Sequence, residues 1–283
     1  MRRMSNRFDQ FRTFLKATTG VALENDQWQA AEQRLAPLAG RLGLSVDDLI
    51  DRFLRHSDPK LSAAVIDAMM TNETFFFRDR KPFELFRDVI LPRLLERKRD
   101  DRRLRIWSAA CATGQEPYSL AMVLDEEARR FEGWTIEIVA SDISASALES
   151  ARGGLYNQFE VQRGLPVALL LRHFQRDLEK WRIAQHLRAQ VQFQQVNLID
   201  DFTRLGAFDV IFCRNVLMYF DQATRRSVLN RLARTLMPEG ILMLGATEFT
   251  PGDCAFAPLP ESPALLRRRK PKPEAPAGHL AIA

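Results

Sequence analysis

Two acidic residues follow predicted β-strands, and both could hold the polar groups of a nucleotide-like ligand. One β-rich run ends at Trp107, and the small residues 108–114 after it would let the backbone close around a ligand before Glu116. A second β-rich run, 136–140, leads to Asp142. In α/β nucleotide sites an acid at the tip of the second strand binds ribose hydroxyls. We therefore assign this chemistry to Asp142.

The glycine pattern of a dinucleotide site is incomplete, and this leaves alternatives open. Of Gly-x-Gly-x-x-Gly, only Gly114 is present. The small-residue turn could therefore close with no ligand. Glu116 could simply cap the helix that follows, because a negative charge is favourable at a helix N-terminus.

Polar residues also follow the third and fourth β-rich runs. Asn197 and Leu198 come after the third, where an amide could bond the edge of an adenine ring while the leucine covers its face. Arg214 and Asn215 come after the fourth. A buried arginine needs a partner, which favours a functional role for Arg214. Tyr219 follows near the expected entrance for a second substrate, with core packing as the alternative.

The order of the predicted elements indicates an α/β fold. Helical stretches alternate with β-rich runs, and this alternation predicts a parallel sheet with crossover helices. Residues 1–70 show only helical patterns, and 221–236 form a clear amphipathic helix. The β-rich runs are 104–107, 136–140, 191–196, 208–213 and 241–244.

Composition and charge exclude several classes of protein. The formal net charge is +5, but five basic residues and one acid lie in 267–283, so the body is nearly neutral and no nucleic-acid partner is expected. No apolar run approaches the roughly 18 residues that a membrane span needs. Three cysteines without metal spacing fit a reducing compartment. The four histidines are scattered and fit no metal site, so we expect no metal.

Five segments along the chain, taken in order, form a recognisable set of motifs. The segments are Thr-Asn-Glu-Thr-Phe-Phe-Phe-Arg at 71–78, Ser-Ala-Ala-Cys-Ala-Thr-Gly-Gln-Glu-Pro-Tyr-Ser at 108–119, Ala-Ser-Asp-Ile at 140–143, Val-Asn-Leu at 196–198, and Ile-Phe-Cys-Arg-Asn-Val-Leu-Met-Tyr-Phe at 211–220. Together they resemble the motifs of CheR-type chemoreceptor glutamate methyltransferases. Gln115, Ala112 and Ala246 depart from the residues most usual in that family.

The resemblance implies a Rossmann-like class I methyltransferase sheet with helices on both faces, a small inserted β subdomain and an all-α amino-terminal domain. The implied cofactor is S-adenosylmethionine, with S-adenosylhomocysteine as product. We expect a helical domain at 1–74, a connecting helix at 75–100, the methyltransferase domain at 101–266 with its insertion at about 153–190, and a disordered tail at 267–283.

The resemblance also assigns site residues. Asn72, Thr74 and Arg78 would fold over the cofactor as one or two helical turns, with Arg78 holding the methionyl carboxylate. The alternative is a capping pair with a surface arginine. Cofactor contacts are implied for Asn72, Thr74, Arg78, Gly114, Glu116, Asp142, Asn197, Leu198, Arg214 and Asn215, and catalytic roles for Arg78 and Tyr219.

The implied reaction needs no general base. Methyl transfer from a sulfonium is an in-line displacement, and a glutamate acceptor is already ionised at neutral pH. The protein must align the carboxylate and exclude water. Arg34 and Arg41, seven residues apart on one predicted helix face, would bind the acidic methylation helices of receptors, unless that face is simply solvated.

We therefore expect a monomeric, cytoplasmic enzyme that methylates chemoreceptors and inserts into no membrane. Three alternatives remain: the same fold with another acceptor such as RNA or a small molecule, a dinucleotide-dependent oxidoreductase, and a non-catalytic binding module. The near-neutral body disfavours RNA, and the missing glycines disfavour the oxidoreductase.

Overall fold

The computed structural model describes residues 2–55, 58–248, 250 and 254–269. The fold is α/β, as the sequence predicts, with a seven-stranded central sheet. The strands are β1 (Arg103–Ala109), β2 (Thr135–Asp142), β3 (Leu155–Tyr156), β4 (Phe174–Asp177), β5 (Lys180–Ile183), β6 (Val191–Gln195), β7 (Phe208–Cys213), β8 (Leu236–Leu244), β9 (Phe256–Leu259) and β10 (Ser262–Arg268).

The helices come before, between and beside these strands. They are α1 (Arg2–Thr19), α2 (Trp28–Arg41), α3 (Val46–Arg55), α4 (Pro59–Met69), α5 (Lys81–Leu85), α6 (Leu91–Arg97), α7 (Gln115–Glu126), α8 (Ala145–Gly153), α9 (Gln158–Gln162), α10 (Val167–His173), α11 (Gln185–Ala189) and α12 (Gln222–Thr235). Among the residues that the structure describes, none of the helices combines the length and the apolar character that crossing a bilayer requires.

The central sheet has the order β6-β2-β1-β7-β8-β10-β9, in which the first five strands are parallel. Both faces of its middle strands are buried, and this explains the continuous apolar runs at 210–213 in β7 and 241–244 in β8. Ile106 and Phe212 pack with α5 to α7 on one face. Trp107 and Ile211 pack with α12 on the other. The prediction of helices on both faces is therefore confirmed.

The last two strands were missed by the sequence analysis. β10 pairs antiparallel with both β8 and β9. The predicted tail therefore begins too early, because Arg267 and Arg268 belong to β10; the segment 270–283 lies outside the described residues. Prolines at 258 and 263 obscure the strand pattern, and these strands form only because β8 offers an edge to pair with.

The first four helices enclose a core of their own, which includes Phe11, Leu35, Ile50 and Val65. The helical prediction for this part of the chain is correct, apart from Met1, His56 and Ser57, which lie outside the described residues. A short antiparallel bridge joins Val21 to Phe220, so the segment after α1 contacts the loop that follows β7.

The connection between the helices and the sheet differs from the expected helix at 75–100. Residues 71–80 are irregular, and Phe77, Asp79 and Arg80 have φ values of 52°, 67° and 49°, which no α-helix accommodates. The helix begins only at Lys81. A π-helical turn at Phe86–Ile90 precedes Pro92, whose missing N–H and bulky ring disturb a regular α-helix.

The insertion between α8 and β6 contains a three-stranded antiparallel sheet, β3-β5-β4. β4 and β5 form a short hairpin within the expected β subdomain, and Leu178 in its turn has a φ of 54°. The sequence analysis missed β3, which has only two residues. Three short helices, α9 to α11, complete this segment.

Candidate functional site

A cavity of about 330 Å³ lies at the carboxyl ends of β1, β2, β6 and β7. This edge of an open α/β sheet is the usual ligand position. The segments 21–24 and 69–74 complete its wall. The sequence-predicted residues that line the cavity are Arg34, Asn72, Thr74, Arg78, Glu116, Asp142, Asn197, Leu198, Arg214, Asn215 and Tyr219.

Gly114 and Arg41 lie outside this lining. Gly114 is buried at the N-terminus of α7 with a φ of 94°, and an added Cβ would lie 2.9 Å from the Cβ of Ala151. The turn and its packing therefore require a glycine at this position. Arg41 is exposed at the end of α2.

Asp142 organises the turn that follows β1. Its Oδ2 accepts from the backbone N–H of Ala112 at 2.8 Å, and its Oδ1 accepts from that of Ser144 at 2.9 Å. Ala110 and Ala112 have φ values of 58° and 48°, which the small side chains tolerate. Burial raises the pKa of Asp142, although the backbone donors oppose this. Each carboxylate oxygen has two acceptor positions, so the side chain keeps capacity toward the cavity.

Glu116 and Arg214 form a buried ion pair in the wall of the cavity. Arg214 Nη1 lies 2.9 Å from Glu116 Oε2, and the Ser108 hydroxyl donates to Glu116 Oε1 at 2.8 Å. Burial raises the pKa of Glu116, and Arg214 and Ser108 counteract it. The position of Glu116 in the first turn of α7 also suits the helix dipole.

Arg214 extends this network to the segment after Asn72. Its Nη2 donates to Asp79 Oδ2 at 2.7 Å and to the carbonyl of Arg78 at 2.8 Å. The side chain is 1% exposed, and its Nε has no hydrogen-bond partner. The guanidinium thus joins β7, α7 and the segment at 71–80.

The segment at 71–78 covers one side of the cavity without forming the expected helical turn. The backbone N–H of Phe77 donates to the Ser119 hydroxyl on α7, and Phe76 is fully buried. Arg78 Nη1 donates to the carbonyl of Glu73 at 2.8 Å, and Asn72 Nδ2 lies 3.5 Å from Ser144 Oγ. Because these contacts are tertiary, the spacing of the residues alone did not indicate them.

Asn197 uses its amide to join two parts of the chain. Its Nδ2 donates to the carbonyl of Thr18 at the end of α1 at 2.7 Å, and its Oδ1 accepts from the N–H of Ile199 at 3.3 Å. The neighbouring Leu198 is buried against the cavity. The amide therefore docks the amino-terminal helices as well as lining the site.

The sequence analysis missed Glu248 as a site residue. Its carboxylate accepts the backbone N–H groups of Asn215, Val216, Leu217 and Gly245, all at 2.8–3.0 Å. These bonds hold the loop after β7, in which Asn215 has a φ of 58°. The sequence signal that could have identified Glu248 is an acid shortly after β8, the fifth parallel strand along the chain. The same loop presents Tyr219, which is 36% exposed, to the cavity.

Two of the four histidines are not scattered in space, contrary to the expectation from their spacing. The rings of His173 and His186 have centroids 6.0 Å apart, and both lie near Asp125 at the far end of α7. Neither lines the cavity. His56 and His279 lie outside the described residues.

Comparison with known proteins identifies close similarities. The family model described as "CheR methyltransferase, SAM binding domain" matches residues 72–258. "Chemotaxis protein methyltransferase 1" of Pseudomonas aeruginosa is 41% identical over 246 residues, covering 85% of this chain and 89% of the relative. "Chemotaxis protein methyltransferase" of Borreliella burgdorferi is 34% identical over 241 residues, with 83% and 84% covered.

A solved structure, PKMT2 from Rickettsia typhi in complex with AdoHcy, also aligns with this chain. The alignment has a TM-score of 0.33 and 15% identity. It covers 50% of this chain and 20% of that one.

Proposed function

The chain belongs to the CheR methyltransferase family, and on that premise we propose that it methylates glutamate side chains of bacterial chemoreceptors to give glutamyl methyl esters. The enzyme is an S-adenosylmethionine-dependent methyltransferase of the chemotaxis type. One observation supports this acceptor. Tyr219 is partly exposed in the wall of the cavity that Glu116 and Asp142 also line.

The residues of the cavity fit the cofactor chemically. S-adenosylmethionine supplies an electrophilic methyl group on a sulfonium, together with a ribose diol and a charged amino-acid end. Asp142 has free acceptor positions for ribose hydroxyls, and Arg78 offers a cation for a carboxylate. Leu198 offers an apolar surface beside the amide of Asn197 for a flat ring.

Several residues act mainly by holding others in place. Glu116 and Arg214 fix the start of α7 relative to the loop after β7, and Asn72 and Thr74 close the cavity from the side. Asn215 shapes the wall of the cavity through its backbone, which has a left-handed conformation and donates its N–H to Glu248. In-line displacement requires the two reactants to be held in alignment, and these contacts keep the cavity wall in a fixed geometry.

The acceptor carboxylate is ionised at neutral pH, so the protein needs to orient it rather than deprotonate it. The Tyr219 hydroxyl would donate a hydrogen bond to that carboxylate and align it with the methyl group. Arg34, whose Nη1 donates to the carbonyl of Met69, lies at the cavity wall, and Arg41 lies about 10 Å further along α2. Together they would attract an acidic receptor helix.

We extend the proposal to the setting of the enzyme. It acts as a monomer in the cytoplasm, where the methylation helices of receptors are accessible, and needs no nucleic acid. The helices within 1–74 dock the receptor, the helix within 75–100 connects them to the sheet, and residues 101–266 carry the cofactor. The insertion at about 153–190 is a small subdomain that packs against α7.

Transfer of a labelled methyl group to receptor-rich membranes, followed by mild base, tests the proposal. A glutamyl methyl ester releases labelled methanol in base, whereas N-methyl products keep the label. The control is Met237→Leu, which changes an exposed residue outside the cavity lining and should leave transfer intact. Base-stable label would point to another acceptor, and cofactor binding without any transfer would point to a non-catalytic module.

A further inference from the structure

Three potential metal ligands converge on the side of the molecule where the insertion packs against α7. Asp125 lies in the last turn of α7, His173 ends α10, and His186 is in the first turn of α11. One donor atom from each lies within 4.8 Å of the others. Asp125 is nine residues from Glu116 on the same helix, so this cluster lies about 14 Å from the cofactor cavity.

The distances suit a shared cation better than direct hydrogen bonds. His186 Nε2 lies 3.5 Å from Asp125 Oδ1, and His173 Nε2 lies 4.0 Å from Asp125 Oδ2. Both separations exceed normal hydrogen-bond lengths. Two ligands at about 2.0–2.1 Å from a tetrahedral Zn²⁺ lie about 3.4 Å apart. The His186–Asp125 separation is already near this value, and a small rotation of the partly exposed Asp125 carboxylate would shorten its distance to His173.

His173 gives a second observation, which does not depend on these distances. Its side chain is 1% exposed, yet neither ring nitrogen has a hydrogen-bond partner among the described residues. Buried polar atoms in native proteins are nearly always paired, so two unpaired ring nitrogens need an explanation. A metal ion held by one of these nitrogens together with Asp125 would supply that explanation.

One positive group competes for the carboxylate. Arg172 Nη2 donates to Asp125 Oδ2 at 3.0 Å. Its side chain is 56% exposed, so it can turn away into water, and Asp125 Oδ1 is already directed toward His186. Two imidazoles and one carboxylate form a ligand set that Zn²⁺ accepts, with water as the fourth ligand.

We propose that Asp125, His173 and His186 form a Zn²⁺ site that fastens the inserted segment, through α10 and α11, to the end of α7. The site has a structural role and takes no part in methyl transfer. The proposal does not rest on the identity of the methyl acceptor, and its test uses no activity measurement.

Titration of the full-length, metal-free protein with Zn²⁺ alone, followed by calorimetry, tests the site. We expect saturable one-to-one binding that His186→Ala weakens at least tenfold. Because His186 is exposed, this variant should fold normally. His56→Ala is the matched control and should bind as the unsubstituted chain does. Absence of saturable binding at micromolar Zn²⁺, or a similar loss in His56→Ala, would overturn the proposal.

A second variant is expected to strengthen Zn²⁺ binding, so it separates the loss of a metal ligand from a general loss of structure. Arg172→Ala removes the competing donor and a positive charge, so Zn²⁺ affinity should rise severalfold. Bound Zn²⁺ should also raise the midpoint of thermal unfolding in the unsubstituted chain and in Arg172→Ala, but not in His186→Ala. Weaker binding in Arg172→Ala, or the same thermal shift in all three proteins, would contradict the assignment.

Discussion

Arg214 and Glu116 form a buried ion pair of 2.9 Å that links the end of β7 to the first turn of α7. The Arg214 side chain is 1% exposed and that of Glu116 is 11% exposed. Both residues line the cavity at the edge of the sheet, and Asp79 adds a second carboxylate to the same guanidinium. Any change in this pair should therefore affect both the stability of the fold and the shape of the site.

We expect Arg214→Met to lower the free energy of unfolding by about 3 kcal/mol, because removal of one partner strands a buried charge. Glu116→Gln should cost less, since Asp79 still pairs with Arg214. Urea denaturation measures both, and Arg99→Met, an exposed arginine, is the control. Equal stability of Arg214→Met and the control would show that the pair contributes nothing. Additive effects in the double variant would rule out coupling between the two residues.

Asp142→Ala should weaken S-adenosylhomocysteine binding by roughly 1–3 kcal/mol, the usual cost of losing a buried hydrogen-bond partner. The substitution also releases the N–H groups of Ala112 and Ser144, so the turn after β1 should loosen. Titration calorimetry measures the affinity, and Asp201→Ala, an exposed acid, is the control. Unchanged affinity in a folded Asp142→Ala protein would refute the ribose assignment.

Tyr219→Phe should slow methyl transfer roughly tenfold or more while cofactor affinity stays nearly constant. A hydrogen bond to a charged group contributes about 1.5–3 kcal/mol, and each 1.4 kcal/mol changes a rate about tenfold. Initial rates on receptor membranes and a parallel calorimetric titration separate the two effects. An equal loss of cofactor binding would assign Tyr219 to the cofactor, and an unchanged rate would leave it with a packing role.

Arg41→Glu should impair receptor methylation without changing cofactor affinity, because Arg41 is exposed and outside the cavity lining. The defect should shrink as salt increases, since exposed charges are screened within about 10 Å at 0.1 M ionic strength. Rates at several salt concentrations check this. Arg55→Glu, an exposed reversal at the end of α3, is the control. A defect that salt does not change would argue against electrostatic docking.

Asp221 should contribute stability that depends on pH. It caps α12 by accepting from the N–H of Thr224, and Lys16 Nζ lies 2.6 Å from its Oδ2. The hydrogen bond from Lys16, then those from Thr224, lower the pKa of Asp221 to about 2. A carboxyl with a lowered folded pKa stabilises the fold above its unfolded pKa, about 3.9, and loses this effect as the pH falls.

The difference in unfolding free energy between the unsubstituted chain and Asp221→Ala should therefore be about 1–2 kcal/mol at neutral pH, from the cap and the exposed ion pair together. It should shrink as the pH falls from about 4 toward about 2. Urea denaturation across this range measures it. Asp221→Asn keeps the cap and removes the charge, so it should lose less. A difference that stays constant with pH would contradict the role of the carboxylate charge.

The sequence by itself determined the elements that form through local pattern. The five parallel strands, the helix at 222–235 and the helical start of the chain follow from apolar periodicity, which the sheet and the helices must satisfy wherever they pack. The acids at 116 and 142 were recognisable because strand ends in such folds meet at one edge.

Only the tertiary structure decided which polar groups meet. Arg214 lies far along the chain from Glu116 and Asp79, and Glu248 collects N–H groups from two separate loops. The antiparallel strand β10 forms because β8 provides an edge for it, and His173 meets Asp125 because the insertion folds back onto α7. Hydrogen bonds and ion pairs act over a few ångströms in space, and residue spacing along the chain does not encode those distances.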